Sequence, residues 1–215
     1  MSEDIARDPI NCLPVEIGGK PIYLTFDDGP HPTYTPLILD ILTQYSALAS
    51  FFVIGNRVEA CPGIVRRASF DGHCIGNHTL THRSLDICAD EVVMEEVCGG
   101  TDAIKKLKSM NPVRHFRAPF GVWTENALNY ARACGQIPIH WSIDTMDWSG
   151  RDAQMIVDTV ANNAVPGSII LMHDSAPPAE ERTSPELCNR RNTVEAVSII
   201  IPMLQARGFS LLNLP

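Results

Sequence analysis

The sequence predicts a single α/β domain in which helices cover a parallel sheet. Its 215 residues are 45% hydrophobic, which supplies enough apolar material for one core, and this length is typical of one domain. Short apolar runs alternate with stretches of helical periodicity, as expected for parallel strands joined by helical crossovers. The pattern leaves two architectures open, a doubly wound open sheet and a closed barrel, and the number of strands would suit an irregular barrel.

Short runs of apolar, β-branched and aromatic residues predict the strands. Each run is too brief for an ordinary helix, and its side chains suit the pleated surface of a sheet. The predicted strands are residues 22–26, 51–54, 73–76, 113–117, 137–143, 168–172 and 209–212.

The stretches between these runs carry apolar residues at helical spacing. Gly72, Gly135 and Gly208 follow helical stretches, where glycine commonly ends a helix. The pair Gly99 and Gly100 weakens the longest prediction, because a glycine inside a helix costs roughly 1 kcal/mol. Residues rich in proline, glutamate and serine predict a long loop at 175–189. The predicted helices are residues 36–45, 62–71, 89–109, 125–134, 152–164 and 192–206.

Charge and composition exclude several classes of partner. The formal net charge of -8 disfavours nucleic acid and anionic lipid surfaces, so a neutral substrate is expected. No segment is apolar for long enough to cross a bilayer, and the first residues lack the pattern of a secretion signal. The seven cysteines show no C-x-x-C spacing, which suits reduced thiols. We therefore expect a cytoplasmic protein without nucleic acid or membrane partners. A monomer is also expected.

Conspicuous polar residues fall at the ends of five predicted strands. In barrels and open α/β sheets alike, active sites form at the carboxyl ends of the strands. The sequence therefore predicts one site that gathers these residues from separate segments. They are Asp27, Asp28, His78, Arg117, Asp144, Asp147 and His173.

Two of these segments predict a metal site. Asp27 and Asp28 precede a Gly-Pro pair, a pattern that on its own also suits a solvated turn. His78 and His82 are four residues apart, which in a helical turn would place both imidazoles on one face. Two histidines and one carboxylate leave positions open for water and substrate, as catalytic zinc, cobalt or another first-row metal requires.

The other strand ends predict groups for acid–base chemistry. Arg117 is suited to bind a carboxylate bidentately and keep a general base ionised, although a structural salt bridge fits it equally. A carboxylate near His173 would favour the imidazolium, as a general acid requires. Trp148 follows Asp147 and supplies an aromatic platform beside the carboxylates.

Five short motifs of this chain resemble, in order, those of the NodB-homology polysaccharide deacetylases, carbohydrate esterase family four. They are T-F-D-D-G-P, H-T-x-x-H, R-A-P-F, D-x-x-D-W and L-x-H. Within that family the chain is most similar to the rhizobial chitooligosaccharide deacetylases, through R-A-P-F-G-V-W and I-H-W-S. The resemblance implies a distorted (β/α)7 barrel over residues 21–215, preceded by an N-terminal extension at 1–20.

The resemblance also implies roles for the metal and base residues. Asp27 would be the general base, and Arg117 would orient it. Asp28, His78 and His82 would hold the divalent metal, expected to be zinc, with cobalt or another first-row metal as alternatives.

Roles for the acid and the acetyl pocket follow from the same motifs. His173 would be the general acid, tuned by Asp147. The backbone N–H of Phe120 would help to form the oxyanion hole. Many relatives have tyrosine at this position. Trp148 and Leu171 would make the apolar pocket for the acetyl methyl.

The activity implied by the resemblance is removal of the N-acetyl group from N-acetylglucosamine in chitin oligosaccharides, at the non-reducing end. A peptidoglycan N-acetylglucosamine deacetylase or an acetylxylan esterase is the alternative within the same class. A catalytically inactive carbohydrate-binding protein is the alternative from another class, because a fold alone does not guarantee an activity.

Overall fold

The computed structural model describes residues 8–107, 111–183 and 188–215, and shows a parallel sheet curled into a half-barrel. Neighbouring strands follow the order β5-β4-β3-β2-β1-β7-β6, and β8 pairs with the start of β1. The strands are β1 Pro21–Asp27, β2 Ala49–Val53, β3 Cys74–Asn77, β4 His115–Phe116, β5 Ile137–Pro138, β6 Ile143–Asp144, β7 Ile169–His173 and β8 Ser210–Leu211.

Helices connect these strands and pack against the sheet. Within the part of the chain that the structure describes, no helix is both long enough and apolar enough to cross a membrane. Short 3-10 turns lie at Leu85–Ile87, Pro119–Gly121 and Asp147–Ser149. The helices are α1 Tyr34–Gln44, α2 Gly55–Ala60, α3 Pro62–Phe70, α4 Asp90–Lys105, α5 Glu125–Ala133, α6 Ala153–Asn163, α7 Pro178–Thr183 and α8 Arg191–Ala206.

The central strand β1 is buried on both faces. Apolar side chains lie on one face and polar side chains on the other. Successive side chains of a strand point to opposite faces. Ile22, Leu24 and Phe26 join the main hydrophobic core, which also contains residues of α1, α3, α6 and α8. On the opposite face Thr25 and Asp27 are polar yet at most 3% exposed. The strand therefore places Thr25 and Asp27 on the concave face of the curled sheet.

The curled sheet is open between its edge strands β5 and β6. The segment before β1 lies beside this opening, because the Ile10 N–H bonds the Pro138 carbonyl at 2.9 Å and the Leu13 N–H bonds the Gly167 carbonyl at 3.0 Å. These bonds join the N-terminal segment to both β5 and the start of β7. The predicted division of the chain at residue 20 stays a prediction.

The distorted barrel and its single domain are confirmed, and one predicted strand is wrong. Residues 137–143 form two strands rather than one, because the carbonyls of Ile139 and His140 bond the side chain of Arg117 instead of a neighbouring strand. The short helices α2 and α7 were not predicted, the second lying inside the predicted loop at 175–189. The predicted end of the long helix at 109 falls outside the described residues.

Gly100 lies within the long helix α4, and at this position only glycine fits against the neighbouring loop. A Cβ at this position would lie 2.3 Å from Oδ1 of Asn77 and 2.8 Å from the carbonyl oxygen of Thr79. The Asn77 side chain is itself held by bonds to the Val97 carbonyl and the Thr101 hydroxyl, so it has little freedom to move.

Gly100→Ala is therefore expected to lower the free energy of unfolding by about 2 kcal/mol, as overpacking of a closed interior does. Urea unfolding followed by circular dichroism measures this change. Gly63→Ala is the matched control, because nothing lies within 4 Å of its Cβ position in α3. Equal stability of the two variants would contradict the packing argument.

Candidate active site

A cavity of about 230 Å³ opens at the carboxyl ends of the strands. Eight of the ten predicted site residues line it, and the other two, Arg117 and Asp147, lie behind it in contact with lining residues. The lining residues are Asp27, Asp28, His78, His82, Ala118, Phe120, Gly121, Trp141, Asp144, Trp148, Leu171, His173, Pro177, Glu180 and Arg190.

Asp28, His78 and His82 form the candidate metal centre. One ligand atom from each lies within 4.8 Å of the others, and all three residues are buried. Oδ1 of Asp28 is 3.1 Å from Nε2 of His82 and 3.5 Å from Nε2 of His78, yet this buried oxygen has no hydrogen-bond partner among the described residues. Such converging atoms suit a divalent cation that all three would bind.

The charge state of Asp28 also fits a metal ligand. Burial favours the neutral acid, but the charge of His82 and the close approach of both imidazoles outweigh it and hold the pKa of Asp28 well below its usual range. The carboxyl group is thereby kept ionised, as metal binding requires.

The two histidines are brought together by a loop, not by the helical turn that their spacing suggested. Thr79 and His82 both have a φ of 66°, a left-handed conformation that is uncommon outside glycine. The imidazole centroids are nevertheless 4.8 Å apart. Nδ1 of His78 lies 2.8 Å from the Arg117 carbonyl, a contact that leaves Nε2 facing Asp28.

Arg117 fixes Asp27 through one hydrogen bond rather than the expected bidentate pair. Its Nη1 donates to Oδ1 of Asp27 at 2.8 Å and to the Thr25 hydroxyl at 2.8 Å. Nε and Nη2 donate to the backbone carbonyls of Ile139 and His140. The guanidinium is fully buried, so every one of these bonds restricts its orientation and, through it, that of Asp27.

His173, which is half-buried, and the buried Asp147 form a second pair at the cavity. Oδ1 of Asp147 is 2.7 Å from Nδ1 of His173, and Oδ2 accepts the His173 backbone N–H and the Thr193 hydroxyl, each at 2.8 Å. Burial would lower the pKa of His173, but the charge and hydrogen bond of Asp147 outweigh it, with smaller contributions from Asp28 and Asp27, and raise that pKa to about 9. The imidazole is therefore held as a cation near neutral pH.

Phe120, Leu171 and Trp148 shape the apolar part of the cavity. Phe120 has a φ of 57° and sets its ring edge-on to His82, with 4.7 Å between ring centroids. Leu171 is buried in β7, whereas Trp148 is 45% exposed at the rim. Leu171 therefore lines the buried part of the cavity, and Trp148 lines its exposed rim.

The structure adds lining residues that the motifs did not reveal. Pro177, Glu180 and Arg190 line the cavity from the segment predicted only as a loop and from its end. Trp141 reaches the cavity beside Gly121, where a Cβ would lie 2.6 Å from the indole. The I-H-W-S stretch was the one sequence signal near Trp141.

Comparison with known proteins gives one family. Residues 15–138 match the family model described as polysaccharide deacetylase. A protein named chitooligosaccharide deacetylase from a Bradyrhizobium species is 43% identical over 198 residues, covering 92% of this chain and 90% of that protein.

Peptidoglycan deacetylases are also similar. A peptidoglycan-N-acetylglucosamine deacetylase from Bacillus cereus is 36% identical over 192 residues, covering 88% of this chain and 84% of that protein. Among solved structures, the peptidoglycan deacetylase PdaC from Bacillus subtilis has a TM-score of 0.79 at 31% identity, covering 93% of this chain and 90% of that chain.

Proposed function

The chain belongs to the polysaccharide deacetylase family, and we propose that it removes the N-acetyl group of the non-reducing N-acetylglucosamine in chitin oligosaccharides. The observation that carries this proposal is that two acid–base groups line one cavity together. Asp27 and His173 are register partners on β1 and β7, and both line the cavity beside Asp28, His78 and His82. Hydrolysis of an amide needs both a base for water and an acid for the leaving nitrogen.

Asp27 acts as the general base in this proposal. Its second oxygen lies 3.8 Å from Nε2 of His78, so the carboxylate stands at the edge of the candidate metal centre. A divalent cation bound by Asp28, His78 and His82 would supply Lewis acidity to the acetamide carbonyl and to water. Asp27, aimed by Arg117, takes the proton from water as its oxygen attacks the carbonyl carbon.

His173 acts as the general acid. An amine leaves readily only when it is protonated, so a cationic imidazole held by Asp147 donates the proton to the departing nitrogen. The backbone N–H of Phe120 stabilises the oxyanion, a contribution on the order of 3 kcal/mol for one well-placed donor. Trp148 and Leu171 hold the acetyl methyl. Acetate and a glucosamine residue are released.

We further propose zinc as the metal, a cytoplasmic location and a monomeric state. Two imidazoles and one carboxylate form a common catalytic zinc set, with cobalt and other first-row metals as alternatives. Six cysteines have free thiols, which suits a reducing compartment: Cys12, Cys61, Cys74, Cys88, Cys98 and Cys134.

Peptidoglycan deacetylation is the second candidate, and the Bacillus relatives favour it. Both substrates present an N-acetylglucosamine to the same chemistry, so the distinction depends on the cavity rim formed by Pro177, Glu180 and Trp148. An acetylxylan esterase or an inactive carbohydrate-binding protein has no comparable support.

Acetate release tests the proposal. Protein reconstituted with zinc or cobalt is given defined N-acetylglucosamine oligomers, peptidoglycan fragments and acetylated xylan, and mass spectrometry locates the deacetylated residue. One acetate from the non-reducing end of the chitin oligomers is the expected result. Faster release from peptidoglycan or xylan would select that alternative, and binding of oligomers without any acetate would select the carbohydrate-binding protein.

A further inference from the structure

One buried carboxylate outside the cavity holds the loop that carries both histidines. Glu96 in α4 is 3% exposed. Its Oε2 accepts the Thr81 backbone N–H at 2.8 Å, and its Oε1 accepts the Thr81 hydroxyl. The backbone carbonyl of the same residue accepts the Leu80 N–H at 2.9 Å. Three donors from the centre of the loop thus converge on one residue.

The loop needs such support because its backbone is unfavourable. Thr79 and His82 are both left-handed, a conformation that persists in non-glycine residues only where the surroundings enforce it. Within the loop, Asn77 accepts the Thr79 N–H and Thr79 accepts the His82 N–H, each at 3.0 Å. Glu96 joins these local bonds to the helix behind them.

The two histidines differ in how their rings are held. Nδ1 of His78 contacts the Arg117 carbonyl, so that ring has an anchor of its own. Nδ1 of His82 is buried and has no hydrogen-bond partner among the described residues. Beyond its contact with the Phe120 ring and its approach to Asp28, the His82 ring is therefore positioned by its backbone, which follows Thr81 directly.

We propose that Glu96 is a positioning residue for the metal centre, which keeps Nε2 of His82 at the carboxylate of Asp28 by fixing the backbone at Thr81. This inference rests on the metal site of the proposed function. A carboxylate is specifically suited, because its two oxygens accept the N–H and the hydroxyl of one residue together, whereas a glutamine offers one acceptor oxygen. Arg83 places a positive charge beside this carboxylate, since its Nε is 3.6 Å from Oε1 of Glu96.

Zinc affinity of the purified full chain tests the inference, measured by competition with a chromophoric chelator. Glu96→Gln and Glu96→Ala are expected to bind zinc about 10- to 100-fold more weakly, as other changes behind metal ligands do. The visible spectrum of the cobalt-loaded variants should also change, and excess metal should restore most of the turnover. Glu95→Gln is the control, because Glu95 is the exposed neighbour in the same helix.

The outcomes separate this inference from the proposed function. Wild-type protein that binds neither zinc nor cobalt would remove the metal site itself. Wild-type protein that binds zinc, with Glu96 variants that bind it equally tightly but melt at lower temperature, would make Glu96 structural only and overturn the inference. If neither Glu96 variant folds, Thr81→Val decides, since loss of the hydroxyl alone should weaken zinc binding severalfold and unchanged affinity would overturn the inference.

Discussion

Asp27→Asn is expected to lower the turnover number for acetate release by about a thousandfold, the typical contribution of a general base. The substitution keeps the size of the side chain and an oxygen that can accept from Arg117, but it removes the ability to take a proton. Because Asp27 is not one of the three candidate ligands, zinc content should stay at the wild-type level. Initial rates and metal analysis on the same preparation measure both quantities.

The same variant should lose stability, which the measurement has to allow for. Arg117 is fully buried, and removal of the Asp27 charge leaves that cation with neutral partners. Breaking a buried ion pair costs about 3 kcal/mol, so rates are taken well below the melting temperature. Asp158→Asn, on the exposed side of α6, is the control. A folded, zinc-loaded Asp27→Asn protein that keeps more than about a tenth of the wild-type turnover would exclude Asp27 as the base.

Asp147→Asn is expected to move the alkaline limb of the pH–rate profile to lower pH. In the wild-type protein the pKa of His173 is raised to about 9, so the imidazolium is present below that pH and is lost as the pH rises through it. Without the Asp147 charge, burial is the largest remaining influence and lowers the pKa of His173. At mildly alkaline pH the variant should lose about a hundredfold in kcat/KM, the scale of general acid catalysis.

A full pH profile distinguishes this effect from general damage. If Asp147 acts only through His173, the variant should recover part of its activity as the pH falls, where the imidazole regains its proton. Asp152→Asn is the control, because this exposed residue caps α6 through an oxygen that asparagine retains. A uniform loss of rate with an unmoved limb would show that Asp147 does not tune His173.

The sequence predicted the residues at the strand ends better than the contacts behind them. Asp27 and His173 each close an apolar run, and the carboxyl ends of parallel strands share one edge, so their meeting followed from local pattern. Thr193 bonds Asp147 from 46 residues away, and nothing in either segment indicates the partner. Such contacts depend on how α8 packs, which no short window of sequence reports.

Each of the two errors has an identifiable physical cause. The spacing of His78 and His82 suggested a helical turn, but the Thr79 and His82 backbones are left-handed and the neighbouring α4 supplies the bonds that a helix would have made. The run 137–143 is mostly apolar, so its hydrophobicity gave no sign that Arg117 would interrupt the pairing. In both places a distant side chain replaced regular backbone bonding.

The opening between β5 and β6 gives the two sides of the cavity different freedom to diverge. The carbonyls of Ile139 and His140 accept hydrogen bonds from Arg117, which orients Asp27. An insertion or deletion in this stretch would therefore displace the general base. On the rim after β7, the described residues Pro177 and Glu180 make no hydrogen bond to Arg117 or Asp27, and the nearest link is the Asp174 N–H, which bonds the Asp27 backbone carbonyl at 3.3 Å. Descendants of this chain are therefore expected to acquire new sugar preferences by remodelling the rim, while the stretch between β5 and β6 keeps its length.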